Sequence, residues 1–192
     1  MSENKNILLC GVGGQGTILA SKILSYALVE AGYDVKMSEI HGMSQRGGSV
    51  TTQVRYGKKV YSPIIGQGSA DILCSFEAME AYRYLEILNP KGFAVVNDFH
   101  METATTLSGK EEYPENIIEK VKEKATTKVL NAAKIAADLG NPKAMNVVLL
   151  GALIKIMKLE ELDWDAALAA CVKPAFLELN KKALAAGMEA VA

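Results

Sequence analysis

Apolar and polar positions alternate in two rhythms along the chain. "NILLC" at residues 6–10 is an unbroken apolar run, the pattern of a strand buried on both faces. After "GVGGQGT" comes "ILASKILSYALVEAG". There Ala20, Ile23, Leu24, Ala27, Leu28 and Ala31 recur at helical spacing, a stripe that Gly32 stops. "DVKMSEI" predicts a second strand and completes a β-α-β opening. "SVTTQVRYG" alternates and is rich in β-branched residues, so it predicts a strand, with "KKVYSPII" as its hairpin return across the turn "YGKK". "ADILCSF" and "GFAVVND" predict two more strands, separated by the helix "EAMEAYRYLEIL" and the turn "NPKG". "FHMETATTLSGKEEYPE" is polar and predicts a loop. "NIIEKVKEK" predicts a short helix, "TKVL" a strand, and "NAAKIAADLGN" a helix ended by Gly140. From Ala144 on the pattern is almost all helix, with a break near "KLEELDWD" where Asp163 is placed to cap. Within that part "NVVLLGALI" is apolar all round. It belongs inside the protein or against a partner, and Gly151 would let another backbone come close.

Strands alternating with helices imply an α/β fold: a mainly parallel sheet covered on both faces, with a helical C-terminal third. Residues 49–65 break the rhythm and predict an antiparallel excursion, so the sheet is expected to be mixed. No repeat or linker interrupts the chain, and 192 residues suit one domain spanning 1–192 with a sizeable core.

Composition removes several function classes. The formal net charge is −1 and no run of Lys and Arg stands out, which argues against a nucleic-acid or anionic-membrane surface. The longest apolar run, residues 147–154, is too short to span a bilayer. Cys10, Cys74 and Cys171 lie far apart with no C-x-x-C pair, so a zinc or iron–sulfur site built by this chain alone is not expected. The odd, low cysteine count and the lack of a signal-peptide pattern at "MSENKN" lead us to expect a cytoplasmic protein.

Two segments carry candidate chemistry. Gly11, Gly13, Gly14, Gln15, Gly16 and Thr17 follow a strand and open a helix, satisfying G-x-G-x-x-G where that spacing means something. Free N–H groups there could meet an anion, or the glycines could serve close strand–helix packing. Glu39, near the end of the second strand, stands where a ribose-binding acid would, which leaves a stand-alone dinucleotide-binding, Rossmann-like protein as the alternative reading. The second segment, "SEIHGMSQRGGSV", holds Glu39, His41, Ser44, Gln45, Arg46, Gly47 and Gly48. Arg46 beside two glycines suits an anionic or carbonyl group approaching the backbone. His41 is one of only two histidines; outside any Ser–His–Asp arrangement, a loop role outweighs a catalytic one. No catalytic residue and no metal ligand is assigned.

Together "GVGGQGTILASKIL", "SEIHGMSQRGGSVTTQVRYG", "SPIIGQGSADILCSFEAMEAYRYLEIL" and "LGNPKAMNVVLLGAL" resemble the gamma-type subunits and domains of the 2-oxoacid:ferredoxin oxidoreductases along nearly the whole chain. "HGMSQRGGSV" and "SFEAMEAYR" narrow the resemblance to the beta subunits of the indolepyruvate enzymes. The resemblance implies a three-layer α/β/α domain. It also implies a holoenzyme that decarboxylates an aryl 2-oxoacid with thiamine diphosphate and magnesium, forms an acyl-CoA, and passes electrons through [4Fe-4S] clusters to ferredoxin. This chain lacks a thiamine-diphosphate motif and a cluster-binding cysteine run, so both groups are expected on a larger catalytic partner subunit. Its own part would be to dock there and help close the CoA or substrate site. Gly11, Gly13, Gly14, Gln15 and Gly16 would form one wall; Glu39, His41, Ser44, Gln45, Arg46, Gly47 and Gly48 would form the other, with Arg46 as the anchor.

Overall fold

The computed structural model describes residues 4–41, 47–102, 104–110 and 112–192. The strands β1 (Lys5–Val12), β2 (Asp34–His41), β3 (Ser49–Gly57), β4 (Ala70–Ser75), β5 (Leu88–Asn97) and β6 (Thr126–Leu130) form one sheet in the order β2-β3-β1-β4-β5-β6. β1, β4, β5 and β6 pair in parallel, whereas β3 is antiparallel to both β1 and β2. β2 therefore runs in the same sense as β1, and only β3 opposes the other strands. The helices are α1 (Thr17–Glu30), α2 (Ala78–Arg83), α3 (Ala104–Leu107), α4 (Ile117–Lys124), α5 (Ala132–Asp138), α6 (Met145–Met157), α7 (Trp164–Cys171) and α8 (Leu177–Glu189).

The mixed, mainly parallel sheet and the helical C-terminal part are as expected, with four local corrections, the smallest being the one-turn helix α3 inside the expected loop "FHMETATTLSGKEEYPE". β2 is not the neighbour of β1, because β3 lies between them. The short connection from β2 lets β3 turn straight back along it, and the same strand uses its other edge for β1.

The second correction concerns "KKVYSPII", which forms no strand. Its backbone is satisfied by side chains instead. Val60 N–H donates to Asp34 Oδ2 at 3.0 Å, Arg55 Nη1 donates to the Ser62 and Ile64 carbonyls at 2.9 and 3.1 Å, and Ile65 N–H donates to Gln53 Oε1 at 2.6 Å. Pro63 supplies no donor at all. The third correction is at "NPKG", which is strand rather than turn. β5 begins at Leu88, paired with Ala70, and an irregularity in the ladder between Ala70 and Ile72 absorbs the register shift.

Alternation along β1 divides the core. Ile7 and Leu9 face a cluster built with α1, α5, α6, α7 and α8; Leu8 and Cys10 face a smaller one with α2 and α4. The result is three layers, heavier on the α6 side. α6 is buried continuously from Met145 to Ile154, so its all-round apolar surface serves the chain's own core. The backbone that Gly151 admits belongs to α8. A Cβ at Gly151 would fall on the Leu184 carbonyl, and one at Gly187 on the Val148 carbonyl, so the two helices cross at a reciprocal pair of glycines. Asp163 caps α7 as expected, accepting from Ala166 N–H at 2.9 Å. Trp164 packs beside it and donates to the Leu159 carbonyl at 2.8 Å. Among the described residues no helix is long and apolar enough to cross a membrane.

Candidate functional site

The glycine-rich loop leaves β1 at Val12 and enters α1 at Thr17. Its glycines do different work. Gly14 (φ 106°) and Gly16 (φ 84°) hold backbone angles that side-chained residues avoid. Gly11 has no room for a side chain, since a Cβ there would lie 2.8 Å from the Phe76 Cβ. The Gln15 side chain folds back into the loop: Val12 N–H donates to its Oε1 at 2.7 Å, and its Nε2 donates to the Phe76 carbonyl at 3.1 Å. Asn146 Nδ2, at the start of α6, ties down the Gly16 carbonyl at 3.2 Å. No side chain caps α1, and its first turn carries no acidic residue. Its leading N–H groups and the positive end of its dipole are thus presented at the loop.

The second segment joins this loop directly. Gly13 N–H donates to the Gly48 carbonyl at 2.8 Å, and Gly47 N–H donates to the Gly13 carbonyl at 3.1 Å. Gly47 takes φ 77° to do so. These bonds extend the β1–β3 ladder one step past Val12–Ser49. A cavity of about 390 Å³ opens beside the joint, lined by Gly13, Gly14, Gly16 and Thr17 on one side and Glu39 and His41 on the other. Two segments far apart in sequence therefore meet at the carboxyl edge of the sheet, where open α/β sheets bind their ligands. Glu39 and His41 are exposed on the edge strand. Ser44, Gln45 and Arg46 lie outside the described residues.

The glycine loop is a ridge, with a second hollow of about 540 Å³ on its other flank between Phe99, Met101, Pro142, Lys143 and Met145. A third hollow, about 520 Å³, opens over α2 and reaches Glu77, Glu80, Arg83 and Tyr113. The two carboxylates here were not expected as site residues. Glu77 is 1 % exposed and Glu80 4 %, one helical turn apart just after β4. Glu77 takes hydrogen bonds from the Tyr113 hydroxyl (2.6 Å), Glu80 N–H (2.9 Å) and Met101 N–H (3.2 Å). Glu80 Oε2 takes the Ser49 hydroxyl at 2.5 Å, and Arg83 Nε stands 3.5 Å from Oε1. Burial pushes the Glu80 carboxyl above its ordinary range, against the Ser49 bond and the Arg83 charge. Burial, with donation to Glu77, likewise raises Tyr113. The available signal was the "FEAME" spacing, two acids three apart following a buried strand, which reads equally well as an exposed helix face.

The cysteines do not suit a cluster. Cys10 and Cys74 are fully buried on neighbouring strands, and burial holds Cys10 protonated and pushes Cys74 up to about 12; Cys171 is on α7. Among the described residues no group of three or more His, Cys, Asp or Glu could hold a metal ion. The described residues thus offer no fit to an iron–sulfur cluster or a diphosphate-bound magnesium.

Comparison with known proteins settles the lineage. The family model described as pyruvate ferredoxin/flavodoxin oxidoreductase matches residues 6–190. The chain belongs to this family. It is 38% identical over 191 residues to the indolepyruvate oxidoreductase subunit IorB of Pyrococcus horikoshii, covering 96% of this chain and 95% of that protein. The IorB of Thermococcus kodakarensis is 36% identical over the same coverage. Among solved structures, the gamma subunit of a keto/oxoacid ferredoxin oxidoreductase from Geobacter sulfurreducens superposes with a TM-score of 0.72 at 25% identity, covering 97% of this chain and 98% of that one. A 2-oxoglutarate:ferredoxin oxidoreductase from Magnetococcus marinus, solved with 2-oxoglutarate, coenzyme A and succinyl-CoA, shares the fold at TM-score 0.76 and 20% identity. This whole chain matches 31% of that longer one. The resemblance read from "HGMSQRGGSV" and "SFEAMEAYR" is borne out, as is the three-layer family fold.

Proposed function

We propose that this chain is the smaller, non-redox subunit of a 2-oxoacid:ferredoxin oxidoreductase that converts aryl pyruvates, indolepyruvate first among them, to the aryl-acetyl-CoA. It docks on a larger catalytic subunit, which carries thiamine diphosphate, magnesium and the [4Fe-4S] clusters and reduces ferredoxin. Its contribution is one wall of the site for CoA or the oxoacid. That wall comprises Gly13, Gly14, Gly16 and Thr17 with the uncapped start of α1, faced by Glu39 and His41. Arg46 is assigned from the sequence alone as the anchor for a phosphate or carboxylate.

One observation carries this reading: the glycine-rich loop and the "HGMSQRGGSV" segment are hydrogen-bonded to each other at Gly13, beside a cavity that both line. The dinucleotide alternative is not favoured. That fingerprint needs the acid-bearing second strand directly beside the first, whereas here β3 separates them. The test is an anaerobic pull-down of the tagged chain from its native host, with indolepyruvate- and CoA-dependent viologen reduction measured on the eluate. Co-elution of a larger, iron-containing subunit with activity is expected. Arg46→Ala should then raise KM for CoA or the oxoacid about tenfold, the effect of one charge-assisted hydrogen bond. A colourless chain that elutes alone and binds NAD would overturn the reading.

A further inference from the structure

Glu80 lies outside the two glycine-bearing segments, within "SFEAMEAYR", yet it is coupled to their joint. Its carboxylate accepts the Ser49 hydroxyl at 2.5 Å, and the Tyr84 hydroxyl completes the set 3.0 Å from Ser49 Oγ. With the Ser49 proton directed at Glu80, Tyr84 is the donor to Ser49. Ser49 is the first residue of β3 and pairs with Val12, the last of β1. The next step along the same ladder is the Gly13–Gly48 bond, whose glycine lines the cavity. α2 therefore holds Ser49 from one face of the sheet while the cavity opens beside α1 on the other. Glu77, one turn away, does the same for a second loop through Tyr113 and Met101.

A carboxylate in this position is an expensive way to gain stability. A buried charge costs several kcal/mol of desolvation, and an apolar side chain of similar size commonly does as well or better. What the charged acceptor adds is direction. It fixes one oxygen of Ser49 in space, and a site built on backbone amides depends on that kind of placement to a fraction of an ångström.

We propose that Glu80, acting through Ser49, is a positioning residue for the ligand-facing glycine wall: it sets where the Gly13–Gly48 joint stands and thereby the affinity of the cavity for its ligand. This rests on the subunit reading above. It adds a residue and a route on the opposite face of the sheet from the cavity.

The test uses the assembled complex, with variants Glu80→Ala, Glu80→Gln, Ser49→Ala and the double variant Ser49→Ala/Glu80→Ala. KM for CoA and for indolepyruvate and kcat at saturation are measured, alongside thermal unfolding. Glu80→Ala and Ser49→Ala should each raise one of the two KM values about tenfold, as for one lost hydrogen bond to a charged group, with kcat within about twofold. The double variant should be no worse than either single one, because both break the same link. Glu80→Gln keeps an acceptor for Ser49 but not its charge, and its KM should fall between wild type and Glu80→Ala. Ser49→Ala, at the part-exposed start of a strand, carries the test should Glu80→Ala fail to fold. Unchanged KM values in a folded, active Ser49→Ala complex would overturn the proposal alone, as would additive losses in kcat. An inactive wild-type complex would overturn the subunit reading and this inference with it.

Discussion

The crossing of α6 and α8 allows a stability prediction worked from geometry. A methyl group added at Gly151 would collide with the Leu184 carbonyl oxygen and would lie 3.1 Å from the Gly187 Cα. Both are backbone atoms of α8, and neither can rotate aside. The helices must part, and α6 is the most deeply buried helix of the larger core. Overpacking typically costs 1–3 kcal/mol, and a backbone obstacle belongs near about 3. Alanine returns about 1 kcal/mol of helix propensity relative to glycine. Gly151→Ala should therefore destabilise by about 2 kcal/mol, lowering Tm by roughly 4–8 °C in a chain of this length. Gly187→Ala should cost a similar amount, because its Cβ meets Val148 of α6 in the same way. The double variant should cost less than the sum, since helices already parted by one methyl accommodate the second. Urea and thermal denaturation of the purified proteins measure all three. If Gly151→Ala were as stable as wild type, or if the two costs simply added, the close crossing would be refuted.

Three further outcomes are expected. Glu77→Ala leaves Glu80 N–H, Met101 N–H and the Tyr113 hydroxyl without their acceptor and should cost about 3 kcal/mol in urea denaturation, with Glu77→Gln milder. The Lys36 ion pair and the Val60 N–H hold the Asp34 carboxyl down at about 2 from its ordinary 3.8. The advantage of wild type over Asp34→Asn should therefore be present above 3.8 and vanish as the pH falls towards 2, as read from unfolding curves across that range. Glu80 is shifted the other way, raised from 4.5 by burial. The stability it contributes is complete below 4.5 and is lost as the pH rises through the raised value, so wild type should lose ground to Glu80→Gln over that window.

The parts of the fold legible in the sequence were those decided by local rhythm. α1 follows its apolar stripe, α6 its continuous apolar run, and Asp163 caps α7 because a short acceptor precedes a helical turn. What was not legible was pairing. "DVKMSEI" and "SVTTQVRYG" mix apolar and polar residues in much the same way, and nothing local says that β3 will insert between β2 and β1 rather than fold back on "KKVYSPII". That choice is made at a distance. Asp34, Gln53 and Arg55 use side chains to satisfy residues 60–65, which removes the need for a strand there and leaves both edges of β3 free for β2 and β1. A rule that scores each segment against helix or strand patterns cannot see a backbone satisfied by side chains up to 26 residues away.

The same limit explains the site. The two glycine-bearing segments were recognisable because glycine at a turn is a local necessity, written at Gly14 and Gly16 as positive φ. Their meeting at Gly13 depends on β3 lying next to β1, so it followed only once the strand order was known. Gln15 shows the reverse case. A polar side chain in a glycine loop suggested a ligand contact, yet both ends of its amide are used inside the fold, on Val12 and Phe76. Glu77 and Glu80 were missed because two acids at i, i+3 on a short helix usually face water. Here the helix is pressed against the carboxyl edge of β4, and its first turn has the Tyr113 hydroxyl on one side and the Ser49 hydroxyl on the other. A buried acid is tolerated only where donors are waiting for it, so the observation that locates such residues is the convergence of donors. Around Glu77 and Glu80 the donors come from four separate places: the β3 start, the segment after β5, Tyr113 ahead of α4, and the α2 backbone itself. That convergence makes α2 a joint between loops, and it is the basis for proposing that a short helix far in sequence from the glycine motif acts on it.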